Sequence, residues 1–377
     1  MLEIDLKNTE KAPDDWSEVF DYKEDILKLK SELESQKAKY QNVLVVGNGG
    51  SITSFDAIVY ALGKDYRARS VWTMDPAYIN KIKSQFSKES TVVVAVSKSG
   101  NTLGQIESLL CFGDYDVIAV TQKGSGTLFE IAKKMGWKII EHPPVGGRFS
   151  AGTSSTLASS YLAGANIDNI QSGLVDGYIS LKDKAFSLAK FYFDLEKEGY
   201  GEVYVSLYTE ALSRFQNLII QLMHESVCKD GQGQTLYAAM APESQHHTNQ
   251  RFLGGKGNVI GTFINVSDPE TDIKLNIPEQ IREIEYKGTK LKQFELLSLN
   301  FALNAEYVGT KRDADKNNIP NVTITIDRIS EESVGQFIAF WHLVAFYSSI
   351  LRGVNPFDQP AVENSKDITL GIIKEKL

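Results

Sequence analysis

Apolar and polar positions change their spacing along the chain, and the changes mark its organisation. Residues 1–40 are mostly polar, and a helix is expected from about Trp16 to Tyr40. From there short, continuous, β-branched runs take over: Val43–Val46, Ser70–Met74, Thr91–Val96, Val117–Val120 and Trp137–Ile140. Between successive runs lie amphipathic stretches long enough for one helix each. Apolar runs of this kind with helical connections predict a buried parallel sheet with helices on both faces. From about Leu157 to Glu198 the pattern is mostly helical. A second α/β set follows: Val203–Leu207, a helix near Glu210–Cys228, Asn258–Val266 and Val322–Ile326, then helices at about Ser333–Arg352 and Ala361–Glu375. The stretch Thr310–Asn321 is rich in Lys, Arg, Asp and Asn and reads as an exposed loop. The expected fold class is α/β, with two tandem doubly wound parallel-sheet units (α-β-α sandwiches) and peripheral helices. The expected division is a helical segment over 1–40, a first unit over 41–195 and a second over 196–377 with the C-terminal helix.

A length of 377 residues also favours two units, because one core rarely grows beyond roughly 250–300 residues. The net charge of −8 argues against a nucleic-acid partner, which would require a basic face. It leaves room for a small anion, which a local nest of N–H groups can hold on an acidic protein. The two cysteines, Cys111 and Cys228, lie far apart and outside any metal-ligand spacing, so a cytoplasmic chain without disulfides is expected. No uninterrupted apolar run approaches the ~18 residues of a membrane span, and the first residues lack a signal-peptide core. No membrane partner is expected.

In open α/β sheets ligands sit beyond the carboxyl ends of the strands. The first strand ends in Gly47-Asn48-Gly49-Gly50-Ser51, a glycine-rich turn into a helix. It allows backbone N–H groups to approach an anion, with the Ser51 hydroxyl adding a donor. It is neither a Walker A loop nor a G-x-G-x-x-G fingerprint, and a ligand-free strand–helix turn is the alternative. The third strand ends in Ser97-Lys98-Ser99-Gly100-Asn101-Thr102. Three hydroxyls, a lysine and a glycine at a helix N-terminus suit a phosphate, whereas simple capping by Ser99 or Asn101 would need only one of them. The pairing of the two turns resembles the sugar isomerase (SIS) domain family, which holds sugar phosphates this way.

Four further segments narrow the resemblance: Gly146-Gly147-Arg148-Phe149-Ser150; His224-Glu225-Ser226 with Lys229; Gln245-His246-His247 with Gln250; and Phe357-Asp358-Gln359-Pro360-Ala361-Val362-Glu363-Asn364-Ser365-Lys366. Taken singly, Arg148 reads as a structural arginine, Glu225 as a solvated helix-terminal carboxylate and Lys366 as an exposed helix lysine. The adjacent histidines do not converge on one metal ion. Together, in this order, the segments resemble the glucose-6-phosphate isomerase family, and G-G-R-F-S and F-D-Q-P-A-V-E-N-S-K carry most of that likeness.

The resemblance implies two SIS-type domains and an aldose–ketose isomerisation of glucose 6-phosphate and fructose 6-phosphate through a cis-enediol. It implies phosphate binding by Gly50, Ser51, Ser97, Lys98, Ser99 and Thr102, with Gln359 at the phosphate. Glu225 would be the base, Arg148 the stabiliser of enediolate charge, and His246 and Lys366 the groups handling ring opening. His247 has no assigned role. A homodimer is implied, with His246 donated to the neighbouring subunit's site, and no metal or cofactor is called for. Action on mannose 6-phosphate as well, or a sugar-phosphate sensor without catalysis, are the rival readings.

Overall fold

A computed structural model describes residues 2–6 and 8–377, the side chain of Glu363 excepted. In chain order the elements are β1 (Leu2–Ile4), α1 (Ile26–Lys39), β2 (Asn42–Val46), α2 (Gly50–Ala61), β3 (Ala68–Val71), α3 (Pro76–Gln85), β4 (Thr91–Val96), α4 (Leu103–Leu110), β5 (Asp116–Thr121), α5 (Thr127–Met135) and β6 (Lys138–Glu141). Three helices follow, α6 (Ser154–Leu162), α7 (Ile167–Ser180) and α8 (Lys182–Lys197). The remainder is β7 (Glu202–Leu207), α9 (Phe215–Val227), β8 (Thr235–Met240), α10 (Thr248–Gly254), β9 (Val259–Val266), the hairpin β10 (Glu285–Tyr286) and β11 (Thr289–Lys290), α11 (Leu299–Lys316), β12 (Asn321–Ile326), α12 (Glu331–Arg352) and α13 (Glu363–Lys376).

The first sheet has order β3-β2-β4-β5-β6 and is parallel throughout. Every residue of β4 is buried, as expected for a central strand covered on both faces. The second sheet has order β1-β12-β9-β7-β8. Its four later strands are parallel, and β1 closes one edge antiparallel to β12. One apolar core runs through both halves, from Val43 and Val94 of the first sheet to Val203 and Ile264 of the second.

Helix α12 occupies the middle of that core. Ser330 and Ser333 cap its start reciprocally, and Gly353 ends it in the left-handed conformation at φ 69°. Its mean hydropathy and 22-residue length would satisfy a membrane span, but 83% of its most apolar window is buried inside the protein. It packs on α7 almost backbone to backbone. A Cβ on Gly335 would come within 2.3 Å of the Ile170 carbonyl oxygen, and one on Gly173 within 2.0 Å of that of Glu332.

Several expectations need correction. The segment Thr310–Asn321 is largely the end of α11 followed by the entry to β12, and Thr310 and Ala314 are buried on the face toward the sheet. Charged residues on the outer face of an amphipathic helix had read as a loop. The first helix starts at Ile26, capped by Asp25, rather than near Trp16. The polar N-terminal stretch opens with a strand, β1, and the edge strand β8 is absent from the sequence reading.

Candidate active site

In the first sheet the connection from β2 runs to β3 on one side, and the connection from β4 runs to β5 on the other. The crevice at the carboxyl ends of β2 and β4 is therefore the topological switch point. Both Gly/Ser-rich turns stand there. Helices α2 and α4, which begin at the two turns, receive no side-chain cap. Their first-turn N–H groups are suited to an anion.

The capping alternative for the second turn does not hold. Asn101 Oδ1 accepts from the backbone N–H and hydroxyl of Thr127, at 2.9 and 3.0 Å, and so serves the start of α5. Ser99 Oγ accepts from the Asn101 N–H at 3.3 Å. Ser97 Oγ accepts from the Gly100 N–H at 3.1 Å and lies 3.3 Å from Thr102 Oγ1. Lys98 Nζ donates to the Pro144 carbonyl at 3.1 Å, tying this turn to the loop that carries Arg148.

The first turn abuts the same loop. Gly49 sits at φ 66°, and a Cβ on Gly50 would fall 2.2 Å from the carbonyl group of Gly147. Gly50 is thus required by backbone approach to the arginine loop, a role that the phosphate reading of this turn did not include. Ser51 is buried beside it at the start of α2.

Arg148 is the hub. Its side chain is only 4% exposed, and all five of its N–H groups are engaged. Nε donates to Ser226 Oγ at 2.9 Å. Nη1 donates to Glu225 Oε2 at 3.1 Å and to Gln359 Oε1 at 2.7 Å. Nη2 donates to the carbonyls of Pro356 and Asp358, at 2.6 and 2.9 Å. Burial lowers the guanidinium pKa and the Glu225 carboxylate opposes that shift. Phe149, next in the chain, is wedged edge-on between Phe20, His342 and Phe357, which fixes the loop from behind.

Glu225 lies near the end of α9 with a third of its side chain exposed. Its second oxygen, Oε1, accepts from Gln221 Nε2 at 2.9 Å, and Gln221 Oε1 accepts from Thr53 Oγ1 at 2.8 Å. Gln221 thereby joins the first turn to the carboxylate. It was missed in the sequence, although a position one helical turn before Glu225 on the same face was a legible signal.

The structure therefore brings together Gly50, Ser51, Arg148, Glu225 and Gln359, with the Ser97–Thr102 turn linked through Lys98. His246 lies elsewhere, on an exposed turn after the edge strand β8. Beside it His247 pairs with Glu243 at 2.9 Å. Lys366 is exposed on α13. Among the described residues, the hydrogen-bond partners of Arg148 and Glu225 include neither His246 nor Lys366.

The chain resembles a probable glucose-6-phosphate isomerase of Methanococcus maripaludis, with 30% identity over 363 residues, 89% of this chain and 80% of the relative. The chain belongs to the glucose-6-phosphate isomerase family. The glucose-6-phosphate isomerase of Methanocaldococcus jannaschii is 28% identical, with 89% of this chain and 85% of the relative covered. No protein-family model matches. Among solved structures, a glucose-6-phosphate isomerase of Chlamydia trachomatis superposes with a TM-score of 0.75 at 21% identity, over 93% of this chain and 73% of that one. At that identity the likeness is one of fold. Two of the family-like segments, around Glu225 and Gln359, meet the third at Arg148.

Proposed function

We propose that this chain interconverts glucose 6-phosphate and fructose 6-phosphate as an aldose–ketose isomerase. The observation that carries the reading is the meeting of Glu225 and Gln359 on one nitrogen of Arg148, beside the two turns suited to phosphate. The sugar phosphate is held by the hydroxyls of Ser51, Ser97, Ser99 and Thr102, with the Gly50 N–H, Lys98 and Gln359 around it. After ring opening, assisted by His246 and Lys366, Glu225 takes the proton from C2 and returns it to C1, while a hydroxyl proton passes between O1 and O2. The hydrogen stays within one molecule, so the net reaction is redox-neutral. General acid–base groups of this kind contribute roughly 10²–10⁴-fold each. Arg148 supplies a fixed positive charge beside the developing enediolate, and its burial strengthens that field.

With its five N–H groups already engaged, Arg148 acts by charge on the substrate, or by exchanging the Gln359 contact for a substrate oxygen. His246 is exposed and, among the described residues, bonds neither Arg148 nor Glu225 of its own chain, which supports a homodimer in which it serves the neighbouring site. The test is direct. Purified protein is given fructose 6-phosphate, and glucose 6-phosphate is read through its NADP-dependent dehydrogenase. Steady NADPH formation is expected. A fructose 6-phosphate-dependent rise in melting temperature without turnover would instead identify a binding protein.

A further inference from the structure

Two residues in the family-like segments have no part in the chemistry above: Lys229, just past α9, and Asp358, in the segment before α13. They meet each other. Lys229 Nζ donates to Asp358 Oδ1 at 2.7 Å and also to the carbonyl of Asn355. The Lys229 side chain is 10% exposed, so the contact is fixed at its cationic end, while Asp358 is half exposed. Asn355 completes the clasp: its Nδ2 donates to Asp358 Oδ2 at 3.2 Å and its Oδ1 accepts from the Phe357 N–H at 3.0 Å. Lys229 holds the Asp358 carboxyl below the usual carboxylate range. Among the described residues this is the one ion pair joining the α9 end, 215–230, to segment 355–359.

Those are the two segments whose side chains converge on Arg148 Nη1, Glu225 from one and Gln359 from the other. Arg148 can receive both only if the segments keep their mutual register, and its bonds to the Pro356 and Asp358 carbonyls fix one side of that register. We propose that Lys229 and Asp358 are positioning residues, whose clasp sets Gln359 against Arg148 and Glu225 and so determines binding of the sugar phosphate. The inference rests on the isomerase reading. Misplacement of a binding group by about an ångström can cost roughly a hundredfold in rate, far more than a partly exposed ion pair contributes to stability.

The experiment compares wild type, Lys229→Met, Lys229→Arg, Gln359→Ala and the double variant Lys229→Met/Gln359→Ala, in turnover of fructose 6-phosphate and in melting temperature. Wild-type turnover is read first, because its absence would remove the isomerase reading and not the clasp alone. The clasp predicts a fall of about tenfold to a hundredfold in kcat/KM for Lys229→Met, borne mainly by KM, with little change in melting temperature. Lys229→Arg, which keeps the cation, recovers most of the loss. In the Gln359→Ala background Lys229→Met costs almost nothing more. Activity of Lys229→Met within twofold of wild type overturns the proposal. So does a loss fully additive with Gln359→Ala, or one that tracks a fall in melting temperature, since either would make Lys229 a general stabiliser.

Discussion

At the residue scale, the proposed mechanism divides the work between a buried arginine with every donor occupied and a carboxylate beside it that is one-third exposed. Arg148 is held by two segments, whereas about a third of the Glu225 side chain is exposed; in the proposed mechanism the first is fixed charge and the second the base. Glu225→Gln preserves shape and the contact with Gln221 but removes basicity, and kcat is expected to fall by roughly 10²–10⁴-fold with KM little changed. His342 gives a second test at this scale. It is fully buried, its Nδ1 lies 2.6 Å from the Tyr178 hydroxyl, and burial pushes its pKa down to about 3. Below the unfolded value near 6.5 the unfolded chain binds a proton that the native one does not, so stability falls as pH drops. Between pH 7 and pH 5 this one group is expected to remove about 2 kcal/mol, and His342→Gln should flatten that part of the pH–stability curve by a similar amount in urea titrations.

At the element scale, the site depends on two turns and two loops reaching one another at the switch point of the first sheet. The Gly50–Gly147 approach is the tightest of these contacts. Gly50→Ala places a methyl group 2.2 Å from the Gly147 carbonyl, and either α2 or the arginine loop must move. A loss of about 1–3 kcal/mol in stability is expected, with a larger proportional loss of kcat/KM, as measured by thermal melts and turnover. Much at this scale was legible in the sequence. The runs at Val43, Thr91, Val117, Val203 and Val322 became strands because a strand buried on both faces must be continuously apolar. The edge strands of the second sheet were not legible, since β1 and β8 are short or half-buried and lack that signature. Nor was α11 recognised, because its buried positions, Thr310 and Ala314, are few and one of them is polar.

At the scale of the whole molecule, α12 and the shared core make the two sheets one packed body. The contribution of far-apart segments to a single site follows from that packing. Spacing alone could not place Glu225 and Gln359 on one nitrogen of Arg148, because that meeting depends on how α9 and segment 355–359 pack. The family likeness named those residues, whereas Gln221 and the Lys229–Asp358 clasp emerged only from geometry. The homodimer has its own test. If each site takes Glu225 from one subunit and His246 from its neighbour, Glu225→Gln and His246→Ala proteins, each nearly inactive, should complement when mixed and reassembled. Half the dimers would be mixed and one site in each intact, giving about a quarter of wild-type activity. No recovery on mixing would mean that each chain completes its own site.

The central claim is that Glu225 moves a proton between C1 and C2 of a hexose 6-phosphate. It is tested most directly by following the equilibration of fructose 6-phosphate with glucose 6-phosphate in D2O by proton NMR, with wild type and Glu225→Gln side by side. The account predicts that wild type interconverts the sugars and introduces solvent deuterium at C1 of the ketose and C2 of the aldose, and that Glu225→Gln does neither at a comparable rate. Interconversion by Glu225→Gln within tenfold of wild type would contradict it.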